Sequence, residues 1–346
     1  MNGMTRSPTD GAGGPRVVVV GATGNVGTSV MRAFAERRDG VAVTGLARRL
    51  PAWRPEGTAW VAADIAPGGT ALVPHFRGAD AIVHLAWRFQ PTHDPVATWH
   101  TNVLGSIRVF EAAAEAGVPV VVHASSVGAY SPGPKDRLVD ESWPTHGWPR
   151  AAYCREKAYL ERYLDAFALS HPGIRVVRMR PGFLFKRESA SQQRRLFAGP
   201  LLHPQLVRHS LVPAVPDLPG LRFQALHTDD AAAAYVEAVM RPVHGAFNLA
   251  ADPPLDAAAL ARVLDARPLR TPLPPLRVAL SAAWRLRLAP ASPDLLDAVL
   301  RLPLMDCSRA RATLDWEPRH TAEDALRECL EGMHARAGMD TAPLAV

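Results

Sequence analysis

The chain has 346 residues, 48% apolar and 21% charged, which is enough to bury a full core in one large domain or two small ones. Its formal charge of +6 rests almost wholly on scattered arginines, because Lys135, Lys157 and Lys186 are the lysines; no nucleic-acid motif accompanies them, and nucleic acid is set aside as a partner. Apolar runs fall short of the roughly 18 residues that a membrane span needs, and Cys154, Cys307 and Cys329 lack metal-like or CxxC spacing, so the expectation is a reduced, cytoplasmic chain with no membrane partner and no metal.

Residues 1–15 hold Gly, Pro, Ser and Thr without an apolar stretch of signal-peptide type and read as a disordered tail. Strands are predicted at 16–20, 41–46, 58–61, 81–85, 119–124 and 175–179, with helices at 25–38, 70–76, 95–116 and 151–169 between them. Runs such as VVVV and VPVVVH are continuously apolar, as strands covered on both faces must be. This βαβ alternation predicts an α/β fold, a Rossmann-type doubly wound parallel sheet with right-handed crossovers, over 16–181.

After Pro181 the pattern changes. A Pro- and Arg-rich stretch over 183–221 has no clear periodicity, and a smaller, mainly substrate-binding region is expected over 182–338. Within it, a strand at 221–227, a helix at 229–240 and a short strand at 247–249 read as a return to the Rossmann core. Asp229 or Asp230 serves as the N-cap of that helix. Helical segments follow near 255–265, 275–288 and 322–336, and 339–346 reads as a tail. The segment RVALSAAWRLRLA at 277–289 is better read as a packing helix than as a membrane-surface one, because its arginines reach water while its apolar face is buried.

The first strand runs into Gly21-Ala-Thr23-Gly24-Asn25-Val26-Gly27, which opens the first helix. Glycines there allow a tight turn, close approach of backbone to a pyrophosphate and tight helix–strand packing, while the helix N-terminus offers free N–H groups to the phosphates. Further on, Tyr153-Cys-Arg-Glu-Lys157 sets a phenol and an ammonium one helical turn apart on one face. A nearby cation favours phenolate and lowers the phenol pKa towards neutrality. With five tyrosines and three lysines in the chain, such spacing arises by chance roughly 0.04 times. Ser125-Ser126 closes the fifth strand, at the carboxyl edge where open α/β sheets bind ligands.

This combination resembles the extended short-chain dehydrogenase/reductase superfamily, the NAD-dependent epimerase/dehydratase family, over most of residues 16–336. The resemblance implies a catalytic set of Tyr153, Lys157 and Ser126, with Asn102 as the helix asparagine of the proton relay or of the catalytic helix's shape. It implies cofactor contacts from Gly21, Thr23, Gly24, Asn25, Val26 and Gly27, then from Asp64 and Ile65 beside adenine. Leu85 and Ala86, after His84, pass under the nicotinamide ribose; Ser125, Tyr153, Lys157 and Pro181 complete the set. Arg180-Pro181-Gly182 resembles the family's RPxxxxG stretch, but Phe185-Lys186 occupies the region of its later glycine. Leu314-Asp-Trp316 resembles the family's ending. Homodimerisation through the helices at 95–116 and 151–169 is also implied.

Cofactor choice turns on the end of the second strand, where an acid would take a ribose 2′-OH and an arginine a 2′-phosphate. No carboxylate occurs from Val41 until Glu56, and Arg48 stands at that position, which favours NADP over NAD. Two reactions stay open: hydride transfer to or from a carbonyl/alcohol substrate, and epimerisation of a nucleotide sugar whose diphosphate the arginines from Arg187 to Arg208 could grip. A dehydratase is disfavoured because Val127-Gly128, not Asp-Glu, follows Ser126. A catalytically silent NADP-sensing regulator is disfavoured by Tyr153 and Lys157. Trp87, Tyr130 and Phe183 are candidate walls of the substrate pocket.

Overall fold

The computed structural model describes residues 14–37, 39–90, 92–198 and 213–345. The expected tail up to residue 13, Arg38 and Arg208 therefore lie outside the described residues. The first half runs β1 (Arg16–Val20), α1 (Asn25–Ala35), β2 (Ala42–Ala47), β3 (Ala59–Ala62), α2 (Val73–Phe76) and β4 (Ala81–His84). It continues with α3 (Pro95–Trp99), α4 (Gly105–Glu115), β5 (Val120–Ala124), β6 (Leu138–Val139), α5 (Ala152–Ser170) and β7 (Arg175–Pro181). The second half holds β8 (Phe183–Phe185), α6 (Ala190–Gln193), β9 (Ala214–Asp217), β10 (Arg222–His227), α7 (Thr228–Met240) and β11 (Gly245–Leu249). It ends with β12 (Ala251–Asp256), α8 (Ala257–Leu264), β13 (Arg267–Arg270), α9 (Leu273–Arg285), α10 (Pro293–Val299), β14 (Leu304–Met305), α11 (Ser308–Leu314) and α12 (Ala322–His334).

Seven strands form one parallel sheet in the order β11-β7-β5-β4-β1-β2-β3, with β11 brought back beside β7. Alternate side chains of β1 feed two cores. Val17 and Val19 pack with α1 and α7 on one face, while Val18 and Val20 pack with α4 and α5 on the other. Covering both faces is what lets a strand be apolar throughout. The order reverses between β1 and β4, so the chain leaves these strands in opposite directions and opens a crevice at their carboxyl ends. Three small sheets (β12-β10-β8, β13-β9 and β14-β6) accompany the main one, and β8 lines the crevice. Strands β6, β8, β9, β13 and β14 went unread because two to four residues carry too little periodicity; β10, expected to return to the Rossmann core, belongs to one of the small sheets and not to the main sheet.

Several expectations are corrected. The single helix over 95–116 is three pieces: α3, a π-turn at His100–Leu104 and α4. The wide turn lets buried Asn102 reach across to α5. The N-cap of α7 is His227, whose Nδ1 accepts the Asp229 N–H, and not either aspartate. Asp229 instead pairs with Arg32, and Asp230 accepts from the backbone and ring of His320. Helix α9, read as a packing helix with a buried apolar face, buries none of its residues, and Val278 is 70% exposed. The stretch 339–345 is not a free tail: Thr341 and Leu344 are buried, and Arg195 donates to the carbonyls of Pro343 and Ala345. No described helix is long and apolar enough to cross a membrane.

Candidate active site

The crevice is a cavity of about 690 Å³ that runs from the glycine turn to α9 and α10. At its nucleotide end Gly21 has φ +87°, and a Cβ there would lie 2.5 Å from the Ala86 nitrogen, so only glycine lets β1 and the end of β4 meet. A Cβ on Gly27 would strike the Gly21 carbonyl, which is why α1 can lie so close to the turn. Gly24 is the N-cap of α1 and supplies no side-chain cap, so the first N–H groups of the helix are left for a ligand. Gly21, Thr23, Gly24, Asn25, Val26 and Gly27 all line this end, with Arg48, Asp64, Ile65, Leu85 and Ala86 around them. The uncapped helix end and its glycine cradle fit a dinucleotide pyrophosphate.

Asn25 acts differently from its neighbours. Its side chain donates to the Leu184 carbonyl at 3.2 Å and accepts from Thr228, so it ties α1 to β8 and α7. Arg48 and Arg49 stand exposed past the end of β2, and neither is paired with an acid among the described residues. The Asp64 carboxylate accepts from the Ala66 N–H at 3.0 Å.

Lys186 was not expected here. It is fully buried, and its Nζ donates to the Asn25 carbonyl at 2.9 Å, Thr28 Oγ1 at 2.7 Å and Ser29 Oγ at 2.9 Å, directly behind the first turn of α1. Burial lowers its pKa to about 8 against the pull of Asp229 and Glu188. The apolar FLF preceding it, together with the missing glycine, was the available signal.

Tyr153 and Lys157 rise from the first turns of α5 towards the end of β5. Ser126 Oγ accepts the Gly128 N–H at 3.0 Å and lies close enough to the Tyr153 phenol to favour its ionised form. A Cβ on Gly128 would sit 2.7 Å from the Tyr153 ring, so this glycine, which sequence reasoning passed over, admits the phenol. Lys157 Nζ donates to the Ala124 carbonyl at 2.6 Å and stands 3.4 Å over the Trp87 ring. Burial lowers Lys157 to about 7, opposed by Glu156 and Glu161, while the Trp87 face favours the ammonium. The phenol departs from expectation. Burial holds Tyr153 above its ordinary value, only partly offset by the Ser126 hydroxyl, so it is a neutral acid at pH 7 rather than a phenolate.

Other residues are placed away from the reacting edge. Asn102 spends its amide on the Arg88 N–H at 2.7 Å, the Arg88 carbonyl at 2.8 Å and Glu156 at 2.7 Å. Glu156 is further held by Thr98 at 2.6 Å. Asn102 therefore clamps α5 to the loop after β4 and touches neither Tyr153 nor Lys157. Ser125 lines the cavity but donates to Glu161, which lies in a buried network with Arg180 and Arg178. Burial would raise Glu161, yet the two guanidiniums hold it down at about 2. Tyr130 does not line the cavity. The turn at Val127–Ala129 carries it inward, where its hydroxyl donates to Asn248 at 2.6 Å and accepts from Arg180 at 2.9 Å. His84 lies in the sheet core, stacked 5.4 Å from His123, and burial drives it down to about 3. Trp87, Phe183 and Pro181 do line the cavity.

Of the arginines offered for a diphosphate, Arg187 faces Glu331 at 3.7 Å and Arg195 faces the C-terminal carbonyls; neither lines the cavity. One cluster, His227, His320 and Glu328, has metal-like spacing among the described residues. Because His227 Nδ1 accepts a backbone N–H, its Nε2 is the donor and points at Glu328, 3.2 Å away, so this is a helix cap with a hydrogen bond to a carboxylate.

A doubly wound sheet with a glycine-lined helix end and a Ser-Tyr-Lys set at the carboxyl edge defines a dinucleotide-binding α/β protein. The model of the NAD-dependent epimerase/dehydratase family matches residues 17–250, and the chain belongs to that family. It is 32% identical over 165 residues to a UDP-glucose 4-epimerase of Mycolicibacterium smegmatis, covering 44% of this chain and 51% of the relative. It is 33% identical over 111 residues to an L-arabinose 1-dehydrogenase (NAD(P)(+)) of Haloferax volcanii, covering 32% and 41%. The chain thus spans about half, or less, of the curated relatives it matches. The crystal structure of a Thermus thermophilus UDP-glucose 4-epimerase in complex with NAD superposes with a TM-score of 0.66 at 20% identity, over 92% of this chain and 98% of that one.

Proposed function

We propose that the chain is an NADP(H)-dependent oxidoreductase acting on a carbonyl/alcohol carbon. When bound, the nicotinamide supplies or accepts hydride; the residues of this chain supply everything else. Ser126 and Tyr153 orient the substrate oxygen, and Tyr153 gives it a proton in the reducing direction. Lys157 would hold a ribose hydroxyl of the bound cofactor and, as the ammonium, would keep positive charge beside the reacting centre. The observation that carries this reading is the convergence of Ser126, Tyr153 and Lys157 on one cavity with the glycine turn. The neutral phenol suits it, since a carbonyl reductase needs an acid at that oxygen.

Arg48, unpaired at the end of β2 where no carboxylate stands, supports NADP over NAD. A nucleotide-sugar epimerase with tightly held NAD is the second reading, favoured by the 4-epimerase among the relatives. Exposed Val96, Leu104 and Tyr159 on the outer faces of α3 to α5 support a homodimer, which light scattering on the eluted protein would detect.

Mass spectrometry of nucleotide released from denatured protein, paired with NADPH and NADH titrations of the emptied site, separates the two reactions. An empty site that prefers NADPH is expected. Stoichiometric NAD⁺ surviving purification overturns the proposal in favour of the epimerase cycle.

A further inference from the structure

The cavity beyond Tyr153 is chemically unlike its nucleotide end. Trp87 and Phe89 from the loop after β4, Trp284 from α9, Leu295 and Ala298 from α10, and Leu302 form its walls. The Phe89 ring stacks on Tyr153 with centroids 5.4 Å apart and planes 14° apart, and Trp87 meets the same ring edge-on at 5.7 Å. Phe89 remains 40% exposed at the mouth, an aromatic surface with little of its own chain to cover it.

The charged side chains on this side are held by partners within the protein. Arg150 pairs with Asp294 at 3.0 Å, Arg155 donates to the Pro149 carbonyl at 2.8 Å, and Arg88 donates to the Gln90 carbonyl at 2.8 Å. Glu156 is held by Thr98 and Asn102, and Asp294 by Arg150 and Arg277. Of the arginines lining this half, Arg150 is paired with an acid, while Arg88 and Arg155 are drawn back onto carbonyls of their own chain. A nucleotide sugar would bring two phosphate charges into a space lined mainly by indole, phenyl and aliphatic groups, and desolvating them against such walls is unfavourable. A neutral ring system gains from the same walls.

We infer that the substrate side of this cavity takes a neutral, largely apolar carbonyl compound, an aryl ketone or aldehyde or the matching alcohol, rather than a nucleotide sugar. This rests on the oxidoreductase reading. In the reducing direction the hydride leaves the reduced nicotinamide for the carbonyl carbon, the C=O π pair becomes an oxygen lone pair, and the phenolic proton of Tyr153 completes the alcohol. The nicotinamide is oxidised, the carbonyl reduced, and Tyr153 regains its proton from water.

Binding is tested on protein saturated with NADP⁺, by titrating 2-acetylnaphthalene and, separately, UDP while following tryptophan fluorescence. The ketone is expected to bind at least tenfold more tightly than UDP, and Phe89→Ala to weaken the ketone about tenfold without changing NADP⁺ affinity. Tighter binding of UDP overturns the inference, as does a Phe89→Ala protein that binds the ketone unchanged. Turnover is tested by NADPH oxidation, where kcat/KM for 2-acetylnaphthalene is expected to exceed that for dihydroxyacetone by at least a hundredfold. The reverse preference overturns the apolar substrate and leaves the oxidoreductase reading standing. Conversion of UDP-galactose to UDP-glucose without net cofactor oxidation overturns both.

Discussion

The two ends of the cavity are built by opposite means. The nucleotide end is backbone: a glycine turn at Gly21, an uncapped helix N-terminus at Gly24 and a helix α1 whose Gly27, Val30, Met31 and Phe34 are buried. The substrate end is side chain: an aromatic cluster on the loop after β4, met by α9, which buries nothing. Helix α9 is fastened instead at Trp284, whose ring stacks on His93 at 4.2 Å and whose Nε1 donates to Thr92 at 3.0 Å. A site made of core backbone cannot change without disturbing the fold, whereas one made by a half-exposed helix and a loop can be altered by substituting side chains. That is the physical sense in which one end serves a shared cofactor and the other a particular substrate.

The sharpest test of the boundary between the two ends is Tyr153→Phe. It removes the proton donor and leaves the glycine cradle intact, so kcat should fall by about 10²–10⁴-fold while NADPH affinity, read by fluorescence titration, stays unchanged. Gly128→Ala probes the same boundary from below. Its Cβ would be driven to 2.7 Å from the Tyr153 ring, and a shift of the phenol should lower kcat by about 10–100-fold with little change in cofactor binding. Arg48→Ala addresses the nucleotide end alone. NADPH affinity should drop by roughly tenfold, about 1.4 kcal/mol, with NADH unaffected; equal losses for both would take Arg48 out of cofactor choice.

The smallest effect expected is in pH dependence. Lys157 titrates near 7 in the folded protein, so its ammonium is lost as pH rises through that value, and kcat/KM for reduction should decline above about pH 7. Stability moves the other way. Between about pH 7 and 10 the unfolded chain binds a proton at this lysine that the folded chain does not, so this group makes unfolding harder as pH rises. Lys157→Met should flatten that slope in denaturant titrations and raise Tm at pH 7, while abolishing turnover.

How much was legible depends on the range of the interaction. The parallel sheet could be read from local pattern, because strands covered on both faces are apolar throughout and the intervening helices are amphipathic. The glycine turn and the Tyr153–Lys157 spacing are likewise local, since one turn and one helical face set them. Residues whose meaning depends on distant partners were misjudged or left open. Tyr130 looked like a pocket wall until Asn248 and Arg180 claimed its hydroxyl. Asn102, read as part of a proton relay or of the catalytic helix's shape, has its amide committed to Arg88 and to Glu156 on α5, which fits the second of those roles. For Lys186 the apolar FLF before it marked an unusual loop, but nothing local named its partner, an Asn25 carbonyl 161 residues earlier in the chain.

By itself, then, the sequence determined the chain's fold class, its glycine cradle and the spacing of its phenol and ammonium, because each is written in contiguous residues obeying the periodicities of strand and helix. Only the tertiary structure decided which polar groups remain free. A side chain's availability is settled by the partners that burial forces upon it, and burial is a property of the whole packed molecule. The neutral Tyr153, the committed arginines and the apolar walls beyond them are decisions of that kind.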